Sequence, residues 1–245
     1  MQQYTYLLIN FFTVIICFIF SFHPKIKFNK HFRSFFLASL IVAVPFIIWD
    51  SWFTKKGVWW FNENYTLGLN FAGLPIEEIL FFICIPFSCV FTYYCLNKFF
   101  NLNVFNKYNS PIALLTLIIC LLVSFFYYDK IYPLITAIFT LLTIIYLQWI
   151  VRVAWIAKAS FVYTVLMLGF FPVNGILTGT GLDSPIVNYN PAHFLNFRIG
   201  TIPVEDAVYG YTLFLLNLYF FHLISNKRKE FIKPEKELVY PVNER

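Results

Sequence analysis

The chain has 245 residues, of which 60% are hydrophobic, 22% aromatic and 12% charged, with a mean hydropathy of +0.70. Charged residues make up about a quarter of a soluble globular chain, so this composition excludes an ordinary soluble domain and specifies an integral membrane protein. The formal charge of +6 comes from short loops and a tail beside apolar runs, where Lys and Arg set orientation across a bilayer, so the reading carries no nucleic-acid partner.

A membrane span needs about 20 apolar residues. The sequence predicts seven, over Tyr4 to Phe22, Phe35 to Phe53, Pro75 to Leu96, Ile112 to Tyr128, Tyr132 to Val151, Ser160 to Leu177 and Pro203 to Ile224. The first run follows Met-Gln-Gln-Tyr, with no basic segment before it and no small-residue cleavage site after it, and is expected to stay as a span. Only Asp129-Lys130 separates the fourth run from the fifth. With the N-terminus outside, 14 of the 18 basic residues fall on the cytoplasmic side, leaving Lys55, Lys56, Lys130 and Arg198 outside. The positive-inside bias therefore favours seven spans with the C-terminus in the cytoplasm. The expected product is a multi-pass protein of the cell membrane.

Two stretches stand out against this background. Leu69-Asn70-Phe71-Ala72-Gly73-Leu74-Pro75-Ile76-Glu77-Glu78 opens the third span, and Leu195-Asn196-Phe197-Arg198-Ile199-Gly200-Thr201-Ile202-Pro203-Val204-Glu205-Asp206 opens the seventh. Each holds Leu-Asn-Phe, a Gly, then Pro-aliphatic-acid-acid, and matching the two Leu-Asn-Phe triplets requires a two-residue insertion in the second copy. The chain thus reads as all-α, with two parallel three-helix repeats joined by a linker helix. The expected units are residues 1–110 (spans one to three), 111–130 (linker span), 131–225 (spans five to seven) and 226–245 (charged cytoplasmic tail). Parallel repeats are an established membrane architecture, with sites at the repeat interface.

Pro75 and Pro203 are expected at the first helical position, where the missing N–H costs nothing. Glu77, Glu78, Glu205 and Asp206 then sit in first turns. Capping alone would account for single acids there. Doubled acids at membrane depth, recurring in both halves, point instead to function. A protonated carboxylic acid in an apolar pocket is a general acid. Adjacent helical residues point about 100° apart, so one acid of each pair faces inward, and either remains a candidate. Asp50, in Trp49-Asp50-Ser51-Trp52, ends the second span on the same side, and Asn174 occupies the matching polar position in the second half. Arg198 is a candidate counter-ion or a loop charge. The 32 Phe, 16 Tyr and 6 Trp supply belt and core residues, and also aromatic faces that stabilise a cation without attacking it.

Several chemistries lack their residues. The five cysteines lie in apolar runs without metal-ligand spacing, and the four histidines are scattered. No Gly-x-Gly-x-x-Gly follows a strand, no Asp-rich prenyl-diphosphate motif is present, and the seventh span has no lysine for a retinal Schiff base.

At Trp49-Asp50 with Trp60, Pro75-Ile76-Glu77-Glu78 with Phe81-Phe82, Asn174 with Leu177-Thr178-Gly179, and Arg198 with Pro203-Val204-Glu205-Asp206 and Tyr209, the chain resembles the membrane-integral lycopene cyclase domain family. The resemblance covers both halves. It implies an intramolecular lyase or isomerase that closes the linear ends of lycopene, or of a related linear carotenoid, to β-rings through a monocyclic intermediate and a carbocation. Glu77 or Glu78 would protonate the polyene end, and Glu205, Asp206 or the original acid would remove the proton. Asp50 joins these as a catalytic candidate. Asn174, Arg198, Trp49, Trp60, Phe81, Phe82 and Tyr209 are candidates for holding substrate. No metal and no bound cofactor are implied, with a reduced flavin kept open. The lipid bilayer is the expected surrounding, and a homo-oligomer and association with other carotenoid enzymes stay open. Two readings of other classes stand beside it: a proton- or cation-coupled carrier using the paired acids, and a non-catalytic carotenoid-binding membrane protein.

Overall fold

The computed structural model describes residues 2–232, and the part of the expected tail from 233 to 245 lies outside the described residues. Among the described residues, seven helices are long and apolar enough to cross a membrane: α1 (Thr5–Ser21), α2 (Phe32–Lys56), α3 (Ile76–Phe99), α4 (Asn109–Phe126), α5 (Ile131–Ile145, prolonged by a π-turn over Tyr146–Ile150), α6 (Ile156–Leu177) and α7 (Val204–Ile232). The Asp129-Lys130 break does separate two helices, since Lys130 N–H closes a turn onto Tyr127 O and α5 starts at the next residue. Apolar side chains such as Phe12, Ile16 and Ile48 face outward, as helices bathed in lipid require.

The bundle is held by matched contacts. Helix α1 packs on α3 and α5 on α7, while α2 packs on α7 and α3 on α6, so each set of three leans on the other. Helix α4 packs on α5 and α6. Prolines interrupt α2, α3 and α6 at Pro45, Pro86 and Pro172. A helical proline strips the carbonyl four residues earlier of its donor. For Pro86 that carbonyl is Phe82 O, and Ser39 on α2 donates its hydroxyl to it at 3.1 Å.

One end of the bundle carries three short antiparallel ribbons. Strands β2 (Asn70–Phe71) and β3 (Leu74–Pro75) form a hairpin just before α3, and β5 (Arg198–Ile199) and β6 (Ile202–Pro203) form one just before α7. The first turns through Ala72 and Gly73, both at positive φ (54° and 83°), and the second through Gly200 at 64°; such turns match the twist of the strands they join. Strands β1 (Trp59–Phe61) and β4 (Val187–Tyr189) pair Trp59 with Tyr189 and lash the two long loops together.

The hairpins revise two expectations. Asn70 pairs with Pro75 as Arg198 pairs with Pro203, so the copies run at a constant offset of 128 with no insertion. The Leu-Asn-Phe triplets are not structural equivalents. Asn70-Phe71 corresponds to Arg198-Ile199, and Gly68 (φ 75°) to Asn196 (φ 60°). The two prolines do not occupy the first helical position either: each ends a strand, and Pro75 is the extended N-cap residue (ψ 148°) ahead of Ile76.

Candidate functional site

The hairpins decide which acid of each pair turns inward. Glu77 is fully buried beneath its own hairpin, and its Oε1 accepts the Leu67 N–H at 2.7 Å. Glu205 does the same for Leu195 N–H at 2.6 Å. In both, the second carboxyl oxygen is buried without a partner among the described residues. The first acid of each pair therefore ties loop to helix.

The second acid of each pair points the other way. Glu78 and Asp206, with Asp50, line a single cavity of about 550 Å³, within the usual size of a small-molecule site. All three are buried. Their hydrogen bonds come from tyrosines. Tyr6, at the start of α1, donates to Glu78 Oε2. Tyr132, at the start of α5, donates to Asp206 Oδ1 at 2.7 Å, and Tyr189 on β4 donates to Asp206 Oδ2 at 2.9 Å. Tyr209 on α7 donates to Asp50 Oδ1 at 2.8 Å. The carboxyls of Asp50 and Glu78 are in direct contact. One tyrosine–acid pair thus recurs in each half, Tyr6 with Glu78 and Tyr132 with Asp206.

Around the acids the wall is aromatic, with Trp59, Phe61, Phe81 and the four tyrosines. Tyr132 and Tyr189 stack with centroids 6.1 Å apart. Farther in, the cavity runs between α3 and α6 past Ile85, Cys89, Tyr163 and Leu166. Leu168 lines it while being 79% exposed on the outside of α6. The cavity is therefore continuous with the apolar exterior, and a long hydrophobic molecule can enter sideways.

The candidate substrate contacts divide. Phe81, Tyr209 and Asn174 line the cavity. Trp49 and Phe82 stand behind it; Trp49 packs edge-on against Tyr209 at 4.9 Å, and Phe82 packs on Phe46. Trp60 points away and is 47% exposed, and its neighbour Trp59 takes the wall position, because successive strand residues face opposite sides. Arg198 lies outside the cavity. Its guanidinium donates to Thr201 O, covers the rings of Phe194 and Tyr189 at 4.8 and 5.5 Å, and acts electrostatically on Glu205 and Asp206.

Sequence reasoning missed Tyr6, Tyr132, Tyr189 and Trp59. A signal existed for two of them, since Tyr6 and Tyr132 both sit at the second position of the helix that opens their half. Nothing in sequence marks Tyr189, which reaches Asp206 only through the pairing of β4 with β1. Among the described residues no group of three or more His, Cys, Asp or Glu side chains could hold a metal ion.

A cavity with this equipment can protonate an apolar guest, surround the resulting cation with aromatic faces, and take a proton back at a second carboxylate. Among known proteins, a family model described as lycopene cyclase matches residues 3–96 and 129–224. The unmatched stretch between them holds α4. No curated protein and no solved structure matches the chain.

Proposed function

The chain belongs to the lycopene cyclase family, and from that membership we propose that it closes the linear ends of lycopene to β-rings, with Glu78 as proton donor and Asp206 as proton acceptor. The observation that carries the assignment is the division within each acid pair. Glu78 and Asp206 line the cavity, while Glu77 and Glu205 are occupied by loop amides.

The reaction conserves atoms and redox state. Glu78 gives its proton to C2 of the terminal alkene, leaving a tertiary cation at C1. The C5=C6 double bond attacks C1, forming the C1–C6 bond and moving the charge to C5. Loss of the C6 proton restores a double bond at C5=C6 and gives the β-ring. No electron is gained or lost, so this chemistry calls for no redox cofactor.

The roles follow from the neighbours. An apolar wall favours the neutral, proton-carrying form of a carboxyl, and two carboxyls in contact, as Glu78 and Asp50 are, favour holding a proton between them. Asp206 is as buried as Glu78, but it receives two tyrosine hydroxyls and has Arg198 nearby, contacts that offset part of that burial and favour it over Glu78 as the group that takes a proton away. Trp59, Phe81, Tyr132 and Tyr209 offer ring faces to the cation.

On the same reading the two halves, 1–110 and 131–225, build one site together with the linker helix between them. The hairpin end faces outside the cell membrane and the C-terminus the cytoplasm. The test is pigment analysis of a lycopene-accumulating host expressing the chain. Wild type is expected to convert lycopene to monocyclic and bicyclic product, and Asp206→Asn to abolish conversion at equal membrane insertion. Unchanged lycopene with wild type would refute the cyclase reading and favour a carrier.

A further inference from the structure

Ring closure with separate donor and acceptor leaves the site out of register. Glu78 has lost a proton and Asp206 has gained one, and the next ring requires the reverse. The reset proton can pass back within the acid cluster, or the cluster can exchange with water. The inner limb of the cavity, lined by apolar side chains such as Ile85, Leu166 and Leu168, offers no path for protons, so exchange needs a polar opening.

A second, smaller pocket of about 300 Å³ lies at the hairpin end, lined by Arg198, Asn188, Thr178, Thr201 and Gly200. Pro185 and Val187 complete the lining, and the pocket's size and convergent polar groups suit it to hold water. Tyr189 lines both this pocket and the acid cavity, and its hydroxyl is bonded to Asp206. Tyr6, Tyr132 and Tyr209, the other tyrosines on the three acids, line the acid cavity and not the outer pocket.

We propose that Tyr189 is a proton-exchange conduit between Asp206 and water in the outer pocket, so that the protons used in ring closure turn over with solvent instead of only being returned inside the acid cluster. A hydroxyl accepts and donates at once. Protonated Asp206 passes its proton to Tyr189 Oη while the Tyr189 O–H passes its own to pocket water; the same relay run inward returns a solvent proton to Asp206, from which the acid cluster hands it to Glu78, and no charge is left on the phenol. Burial holds the Tyr189 phenol well above its ordinary value, which keeps it a neutral relay. Arg198, over the Tyr189 ring, is a fixed positive charge that balances the Asp206 carboxylate once the proton has left.

The proposal rests on the cyclase reading, and isotope content separates the two. Protein in lipid vesicles prepared in D₂O is given lycopene for many turnovers, and deuterium per newly formed ring is measured by mass spectrometry. Wild type is expected to add close to one deuterium per ring. Tyr189→Phe is expected to lower that content at least threefold, because the proton taken from one substrate is handed to the next. Tyr132→Phe, which also removes a hydroxyl from Asp206 but does not border the outer pocket, is expected to keep the wild-type content. If Tyr189→Phe forms too little ring to measure, Asn188→Leu, which narrows the outer pocket without touching an acid, is read the same way. Wild-type deuterium content in both variants, or little deuterium with wild type itself, overturns the conduit while leaving the cyclase reading intact. No ring from wild type overturns the cyclase reading and the conduit with it.

Discussion

Exchanging carboxyl for amide at neighbouring positions separates acid chemistry from loop anchoring. Glu78→Gln keeps size and can still accept the Tyr6 hydroxyl, but it has no proton to give. General acid catalysis contributes typically 10²–10⁴ in rate, which is about 3–5 kcal/mol at 1.36 kcal/mol per tenfold. Glu77→Gln can keep the Leu67 amide on its carbonyl oxygen. Its new NH₂ falls where Oε2 is buried without a partner, and an unsatisfied buried donor costs about 1–3 kcal/mol. That cost lowers the amount of folded protein and leaves the chemistry of each folded molecule alone. The assay is ring formation in a lycopene-accumulating host, divided by membrane-inserted protein. Glu78→Gln should lose at least a hundredfold, and Glu77→Gln should stay within about threefold of wild type while reaching a lower level in the membrane. The opposite ranking, with Glu77→Gln inactive per molecule and Glu78→Gln active, would refute the division of labour and move the donor to the hairpin.

Other expectations follow from single contacts. Asp50→Asn can keep the Tyr209 bond but removes the second carboxyl beside Glu78; ring formation per molecule should fall about ten- to a hundredfold, and an unchanged rate would remove Asp50 from the proton chemistry. Gly210→Ala would put a methyl 2.8 Å from Tyr163 Oη, which is bonded to Ala207 O at 2.7 Å. Overpacking of this kind costs about 1–3 kcal/mol, so thermal unfolding in detergent should occur at lower temperature, with recovery in the double variant that adds Tyr163→Phe. Ser39→Ala strips the donor from the Phe82 carbonyl freed by Pro86 and should cost about 1 kcal/mol. Because Pro86→Ala restores an in-helix donor, the two changes should be non-additive in a double-mutant cycle, and additivity would show that Ser39 does not serve that carbonyl.

How far the site can be read from sequence depends on the range of the interaction that makes it. Seven helices follow from apolar length, and the acid pairs stand out because charge at the start of a membrane helix is costly. Which acid faces inward depends on a hairpin of six residues, whose register fixes Leu67 over Glu77 and Leu195 over Glu205. Pattern matching misaligns those hairpins, since Leu-Asn-Phe recurs by composition and the turn conformation at Ala72 and Gly200 carries the true equivalence. The strand β1 exposes Trp60 and buries Trp59, an alternation that three residues of sequence cannot phase.

On the proposed mechanism the halves have unequal duties despite their shared tyrosine–acid pair. If both were alike, Glu78 and Asp206 would each have one tyrosine and one polar neighbour, and nothing would separate donor from acceptor. Two departures break the balance. The first half adds a carboxyl, Asp50, beside Glu78. In the second half, the longer loop lets β4 bring a second tyrosine, Tyr189, to Asp206. Tyr189→Phe leaves Asp206 with one tyrosine, as Glu78 has, and so moves the second half toward the first. It should be slower per molecule than wild type, because Asp206 loses a donor that favours its carboxylate form and would take a proton away less readily. A Tyr189→Phe variant as fast as wild type would show that the asymmetry is incidental.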